Sequence, residues 1–428
     1  MLENNCLTFL HLSDIHFSHK GPNHSLDEDL RNELTRDIKT LIEEKSITGI
    51  LISGDISFSG KKSEFEIARS WIEELVKMTK CGTDNVRIVP GNHDVNWEKD
   101  TRSRKNHIQA IRNKFYQSQN KNEDVFHDFL KEEDIKKSIF DPFTNYNEFA
   151  VAFDSITDDK TIKWEKNYKL NDNSTLKISG LNTTLLSTQE DNISDKLLLG
   201  LNQATINRQD GITHLIVCHH PPNWLLDEDG VSELFNSRAS IQLFGHKHSQ
   251  KIDRINECIR ITAGAVQPYR EESNWLPRYN LLTLRVVKEN DIRYLVVNVY
   301  ARIYDKDTTS FVPDFDKPNG NIIHSYKIKI ESWNNMNSDK LPIKQEEDVE
   351  KQEDTRKDII YNEHIYKFLN LPYSKFVRIA SNLNLIRDDD NTFETYQLKI
   401  EIIKRIKENN LYTNLVNEIN ILCEVKNE

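Results

Sequence analysis

Five short polar segments each follow an apolar run: Ser13-Asp14-Ile15-His16, Gly54-Asp55 with Gly60, Gly91-Asn92-His93-Asp94, His219-His220-Pro221-Pro222 and Gly245-His246-Lys247-His248. Alone, each is ordinary. A strand-ending Gly-Asp is often only a turn, and an H-x-H pair lies more often on a surface than on a metal. Together the segments offer carboxylates, imidazoles and one amide. Such a mixed oxygen and nitrogen set suits borderline divalent ions such as Mn, Fe, Zn or Ni. No thiols cluster nearby, which argues against a structural zinc site. Seven ligands are too many for one ion and suit two, sharing a carboxylate at a separation of ~3.5–4 Å.

The elements that must position these segments are legible as alternating patterns. Residues 6–12 (CLTFLHL), 50–53 and 86–89 read as buried strands, and 26–44 and 63–79 as amphipathic helices. Further apolar runs at 176–181, 214–218, 241–244 and 258–262 read as strands. Strands spaced by helices predict an α/β layered architecture, with the polar segments at strand ends, where open α/β sheets carry their sites. A polar, mostly helical stretch at 97–156 interrupts the alternation and reads as an inserted cap near the site. Its first half is basic (Arg102, Arg104, Lys105, Arg112, Lys114, Lys121) and its second half acidic. Residues 279–330 are strand-like, predicting an antiparallel second layer.

The ordered series D-x-H, G-D-x-x-x-x-G, G-N-H-[D/E], H-H-P-P and G-H-x-H resembles the calcineurin-like metallophosphoesterases, over about residues 7–330. The resemblance implies a four-layer α-β-β-α sandwich and two divalent metal ions as cofactors. One ion would be held by Asp14, His16 and His248, the other by Asn92, His219 and His246, with Asp55 bridging. The family pattern favours the first histidine of the H-H-P pair as the ligand, so His220 takes a packing or supporting role. His93 would be the catalytic histidine. Asp94 would either orient the His93 ring or cap a loop. The implied reaction is in-line hydrolysis, in which two cations lower the pKa of a bridging water and neutralise phosphoryl charge.

Departures from the family pattern narrow the substrate. The Ser/Thr protein phosphatases of the family carry Asp-Arg before the glycine of the second segment and read G-N-H-E. This chain has Phe58-Ser59-Gly60 and Asp94. Without that arginine, a guanidinium clamp for a phosphomonoester dianion is missing. The wording resembles the phosphodiesterase branches, so the expected substrate is a phosphodiester, either a cyclic nucleotide or nucleic acid. The alternatives are a nuclease of a bacterial defence system, a phosphomonoesterase, and a non-catalytic scaffold. The stretch 54–63 imitates a P-loop, but its glycines are one residue too far apart and Lys62 stands where Ser or Thr should follow the lysine.

The 428 residues divide into a catalytic domain at 1–337, an acidic linker at 338–357 and a small all-α C-terminal domain at 358–428. In the last, Leu398, Ile402, Ile403 and Ile406 share one helical face, and Leu411, Leu415, Ile419 and Leu422 another. This part resembles the death-fold-like effector-associated domains of bacterial defence proteins, which implies a protein partner. The alternative is a bundle that packs on the enzyme or forms a dimer. The basic stretch 97–121 is a candidate path for nucleic acid, or else a solvated helix face. With 57 Lys+Arg against 68 Asp+Glu and a net charge of −11, the chain is not a generally basic nucleic-acid-coating protein. No apolar run approaches the ~18 residues of a membrane helix, and residues 1–5 carry no basic leader. Five scattered cysteines, never in a C-x-x-C pair, fit reduced thiols. The expected location is the cytoplasm, with no membrane contact.

Overall fold

The computed structural model describes residues 6–18, 24–43, 45–118, 125–189, 197–268, 276–314, 323–333 and most of 364–424. Strand β1 (Leu7–Leu12) is apolar on both faces and buried almost throughout, so it must lie inside a sheet covered on both sides. It pairs in parallel with β2 (Gly49–Ile52), which pairs in parallel with β3 (Val86–Ile88). Helix α1 (His24–Ile42) follows β1 and α2 (Lys62–Thr79) follows β2. Leu30, Leu34 and Ile38 recur at helical spacing on α1, and Phe65, Ala68, Ile72 and Leu75 on α2; all are buried in one hydrophobic cluster with Leu10, Leu12 and Ile50.

The second sheet holds β4 (Lys163–Lys169), β5 (Thr175–Leu181), β6 (Ile212–Val217), β7 (Ala239–Phe244), β8 (Lys251–Ile255) and β9 (Cys258–Thr262) in the order β4-β5-β6-β7-β9-β8. From β5 through β6 and β7 to β9 the pairing is parallel. The two sheets bury a shared core in which Phe9, Leu51, Leu282 and Val297 of the first meet Ile178, Leu215, Val217, Leu243 and Ile261 of the second. A short helix (Leu201–Ala204) and the helix Glu228–Arg238 bury Ala204, Val231 and Phe235 against Leu181, Ile216 and Phe244 of the second sheet. The layers therefore run α-β-β-α, as the family resemblance implies.

Residues 279–330 differ from expectation. They do not form a second layer. Strands β10 (Arg278–Glu289) and β11 (Ile292–Asp305) form a long hairpin, extended by β12 (Ser310–Pro313) and β13 (His324–Lys329), and β10 pairs antiparallel with β1. The hairpin thus completes the first sheet. Without it, the other edge of β1, a buried strand, would present a row of unpaired backbone groups.

The stretch 97–156 is helical, with helices at Arg102–Gln117, Val125–Phe129, Glu133–Phe140 and Thr144–Ala150. Its basic half is not a uniformly solvated face: Arg104 and Arg112 are buried, while Arg102 and Lys114 are exposed. Lys121 lies outside the described residues, as does the expected linker 338–357. The C-terminal helices Tyr373–Asn382, Thr395–Glu408 and Tyr412–Glu424 bury Leu398, Ile402, Ile403, Ile406, Leu415 and Ile419. These residues belong to the same hydrophobic cluster as Ile139, Phe143 and Phe149 of the inserted helices. Lys404 reaches Asp158 at 3.4 Å, and Lys407 pairs with Asp154. No helix among the described residues is long and apolar enough to cross a membrane.

Candidate metal centre

All five polar segments meet at one edge of the stacked sheets. Asp14 and His16 follow β1, and Asp55 follows β2. Asn92, His93 and Asp94 form a 3-10 turn after β3. His219 and His220 follow β6, while His246 and His248 follow β7. Backbone hydrogen bonds join these loops directly. The amide of Asp14 donates to the Gly54 carbonyl (3.0 Å), and those of Ile15 and His16 to the Asp55 carbonyl (2.8 and 3.0 Å). Within the second sheet, Gly245 N, after β7, donates to the carbonyl of His219, after β6 (3.0 Å).

The side chains form overlapping clusters. Possible ligand atoms of Asp14, His16 and His248 lie within 4.8 Å of one another, as do those of Asp14, Asp55 and His219, and of His16, Asp55 and His93. His219 Nδ1 donates to the Ser53 carbonyl (2.8 Å), which turns Nε2 toward Asp55 Oδ2 and Asn92 Oδ1, each 3.2 Å away. His220 also lies within reach of His219 and His246, but its Nδ1 is paired with Thr183 Oγ1 at 2.9 Å. The Asp55 carboxylate occupies the middle: Oδ1 accepts from His93 N (2.8 Å), while Oδ2 faces His219.

This donor set fits divalent cations. Asp14 and Asp55 are buried like charges around one histidine, an arrangement that calls for positive charge between them. Asp14 Oδ1 is buried and accepts no well-formed hydrogen bond. Burial lowers His16 to about 4 and His246 to about 3, so both rings are neutral near pH 7 and can offer a lone pair. Burial also presses His219 downward, but the Asp55 carboxylate outweighs it and holds the ring up at about 9. For Asp14, burial favours the neutral acid, yet His248 and His219 draw the carboxyl down to about 2. The site thus attracts positive charge to its centre.

His93 stands at the rim, its Nδ1 donating to the Phe58 carbonyl at 2.7 Å. Asp94 does not hold that ring. Its carboxylate accepts from Ile56 N (3.0 Å), Ser57 N (2.7 Å), Ser57 Oγ (2.9 Å) and Gly91 N (2.9 Å). Of the two roles open for Asp94, the structure gives the loop cap, because the turn Asn92–Asp94 points its carboxylate back beneath the Asp55 loop.

Several supporting residues escaped sequence reading. The Ser53 carbonyl aims His219, and Thr183 aims His220. Thr183 could have been found, since it follows β5 as the other segments follow their strands. Trp97 and Trp224 line a cavity of about 340 Å³ that also touches Phe58, Asn92, His93 and His246. Trp224 lies just beyond His219-His220-Pro221-Pro222, a proximity that gave a usable signal.

A family model described as calcineurin-like phosphoesterase matches residues 7–250, more than half of the chain. An uncharacterized metallophosphoesterase-like protein, YydB of Bacillus subtilis, is 29% identical over 87 residues, which is 20% of this chain and 17% of that protein. Among solved structures, GAP50, the anchor in the inner membrane complex of Plasmodium, is similar with a TM-score of 0.39 at 10% identity, covering 77% of this chain and 90% of that one. A single mutant of Vps29 from Entamoeba histolytica is similar with a TM-score of 0.29 at 9% identity, covering 76% and 100%.

Proposed function

The chain belongs to the calcineurin-like phosphoesterase family, and from that footing we propose that it is a phosphodiesterase dependent on two divalent metal ions. The observation that carries this reading is the convergence of ligand side chains from five strand ends around the single carboxylate of Asp55. Asp14, His16 and His248 would hold one ion, and Asn92, His219 and His246 the other, with Asp55 between them. When bound, two such ions supply an activated water nucleophile and offset charge on the phosphoryl oxygens.

The protein's own groups do the rest. Ser53 and Asp55 fix the His219 ring from both sides. The Phe58 carbonyl fixes Nδ1 of His93, so proton exchange with a leaving oxygen runs through Nε2, a step typically worth ~10²–10⁴-fold. Diester is favoured over monoester by the cavity beside the cluster, where no lysine or arginine is found among the described lining residues. A dianionic monoester would call for a guanidinium there. For the C-terminal helices we propose a packing role, supported by their shared apolar cluster with the inserted helices.

The test is turnover of bis-p-nitrophenyl phosphate and p-nitrophenyl phosphate by the Mn-loaded full chain, with Asp55→Asn as the contamination control. Diester hydrolysis that disappears in Asp55→Asn, together with lowered metal content, is expected. Preference for the monoester would overturn the diesterase reading. Absence of turnover with Mn, Ni, Co and Zn would favour a scaffold.

A further inference from the structure

The cavity beside the metal cluster has walls of a different chemistry from the cluster itself. Phe58 follows β2 and Trp97 follows β3, both strands of the first sheet, whereas Trp224 lies in the turn Pro222–Trp224 after β6 of the second sheet. Aromatic surface begins directly at the reacting residues: the Trp224 ring lies 4.2 Å from that of His246, edge to face, and the Phe58 ring 5.7 Å from that of His93. Phe58 is 43% exposed, an uncommon position for a large apolar ring in a polar site. Ser187 and Gln189 add polar lining.

That polar wall is held from behind. Buried Arg104 donates to the carbonyls of Ser187 (2.8 Å) and Leu185 (3.1 Å), and buried Arg112 donates to that of Leu186 (2.8 Å). Two cations of the basic stretch are thereby spent on shaping the pocket and turned away from it. What remains is a cavity of about 340 Å³, with aromatic faces, imidazole, amide and hydroxyl groups, and no lysine, arginine or carboxylate among its described lining residues. It lies at the small end for a ligand pocket, on the scale of roughly one nucleoside.

We propose that this cavity binds the unpaired base of a nucleotide adjoining the scissile phosphate, stacked on Trp97 and Trp224. The inference rests on the phosphodiesterase reading and sharpens it: the substrates are nucleotide diesters with an accessible base, either small or single-stranded. Every base has a π-face, so stacking of this kind tolerates sequence.

The test compares dithymidine monophosphate with its analogue carrying tetrahydrofuran in place of both bases, using the Mn-loaded full chain. The kcat/KM ratio is expected to favour the base-bearing diester by about tenfold or more, the scale of base–aromatic stacking. Trp97→Ala and Trp224→Ala should each draw this ratio toward one, and Trp97→Phe should restore most of it. A wild-type ratio near one, or alanine variants that keep the wild-type ratio, would overturn the proposal. If neither diester is turned over but bis-p-nitrophenyl phosphate is, the nucleotide-diester proposal is overturned and the phosphodiesterase reading stands. If bis-p-nitrophenyl phosphate is not turned over either, that reading falls, and binding still decides the pocket. Thymidine 5′-monophosphate should then bind at least about tenfold tighter than inorganic phosphate, and equal affinities would refute the stacking site.

Discussion

Replacing Gly91 with alanine adds one methyl group and alters no candidate ligand. The backbone there is extended (φ −101°, ψ −179°), a conformation alanine adopts without strain, so the effect is purely one of space. The new Cβ would stand 2.1 Å from Asp55 Oδ1, 2.4 Å from Asp55 N and 2.7 Å from Asp55 Cγ, where ordinary contact begins at 3.4 Å. Two of these atoms belong to the carboxylate assigned to bridge the ions, and the third to its own backbone. Relief cannot come from a flexible side-chain end alone, so the whole loop must retreat. A displacement of about 1 Å at a reacting centre costs on the order of 10²-fold. We therefore expect Gly91→Ala to lower kcat/KM on bis-p-nitrophenyl phosphate by about that factor, with fewer than two ions per chain by inductively coupled plasma mass spectrometry. Circular dichroism and a thermal melt should report a folded protein. Gly230→Ala is the control, because its Cβ meets only the flexible end of Leu201 at 3.1 Å. If Gly91→Ala keeps its metal content and its rate, Asp55 is not the bridging group.

Three further outcomes are expected. His93→Ala should lower kcat by ~10²–10⁴-fold with metal content unchanged; loss of an ion on metal analysis would make His93 a ligand. Asp94→Ala strands the buried amides of Ile56, Ser57 and Gly91, each costing about 1–3 kcal/mol, and should lower the melting temperature even in the metal-loaded protein. Arg405→Met leaves the Asp390 carboxylate, 3% exposed and bonded to Arg405 at 2.7 and 2.8 Å, with no cation and only the Arg387 amide (2.8 Å) still bonded to it. Loss of about 3–5 kcal/mol is expected by urea unfolding, and Arg405→Met/Asp390→Leu should recover much of it. The hydrogen bond from Arg405 holds Asp390 below the ordinary carboxylate range. The stabilisation it gives is therefore full above an ordinary pKa of about 3.9 and fades as pH falls through the lower folded value. Near-neutral scans should not move it.

The layers and the site were legible because both write themselves in local patterns. Strands such as β1 and β6 are short apolar runs, and each is followed at once by a chemically distinctive segment. Pairing between distant strands leaves no such mark. Nothing in Leu281-Leu282-Thr283-Leu284 says that it lies beside Leu7–Leu10 and not in the opposite sheet; that choice is made by the free edge of β1. Charge misled for a related reason. Arg104 and Arg112 look like members of a basic face, but at helical spacing they share the inward stripe with Ile108, Ile111 and Phe115. Their guanidinia satisfy carbonyls of a loop more than 70 residues away. Only the folded chain reveals that this loop exists.

The spacing of the ligand motifs has its own physical explanation, which the sequence carries without displaying. Asp14, His16, Asp55, His246 and His248 all lie in the left-handed region, with φ between 52° and 70°. A non-glycine residue there costs on the order of 1–3 kcal/mol and persists only where its surroundings impose it. In the D-x-H and H-x-H pairs, both outer residues are so coiled. The middle residue is released to a different fate: Ile15 is fully buried, whereas Lys247 is exposed. The left-handed turns thus aim alternate side chains at one point while the backbone leaves its strand. The restraint comes from the loop-to-loop bonds of Asp14, Ile15 and His16 to Gly54 and Asp55, and of Gly245 to His219. Asp and His occupy these positions both as ligands and because, unlike β-branched residues, they tolerate that backbone. Chemistry and conformation therefore select the same residue types, and this is why a short motif can specify a site formed by strands from two sheets.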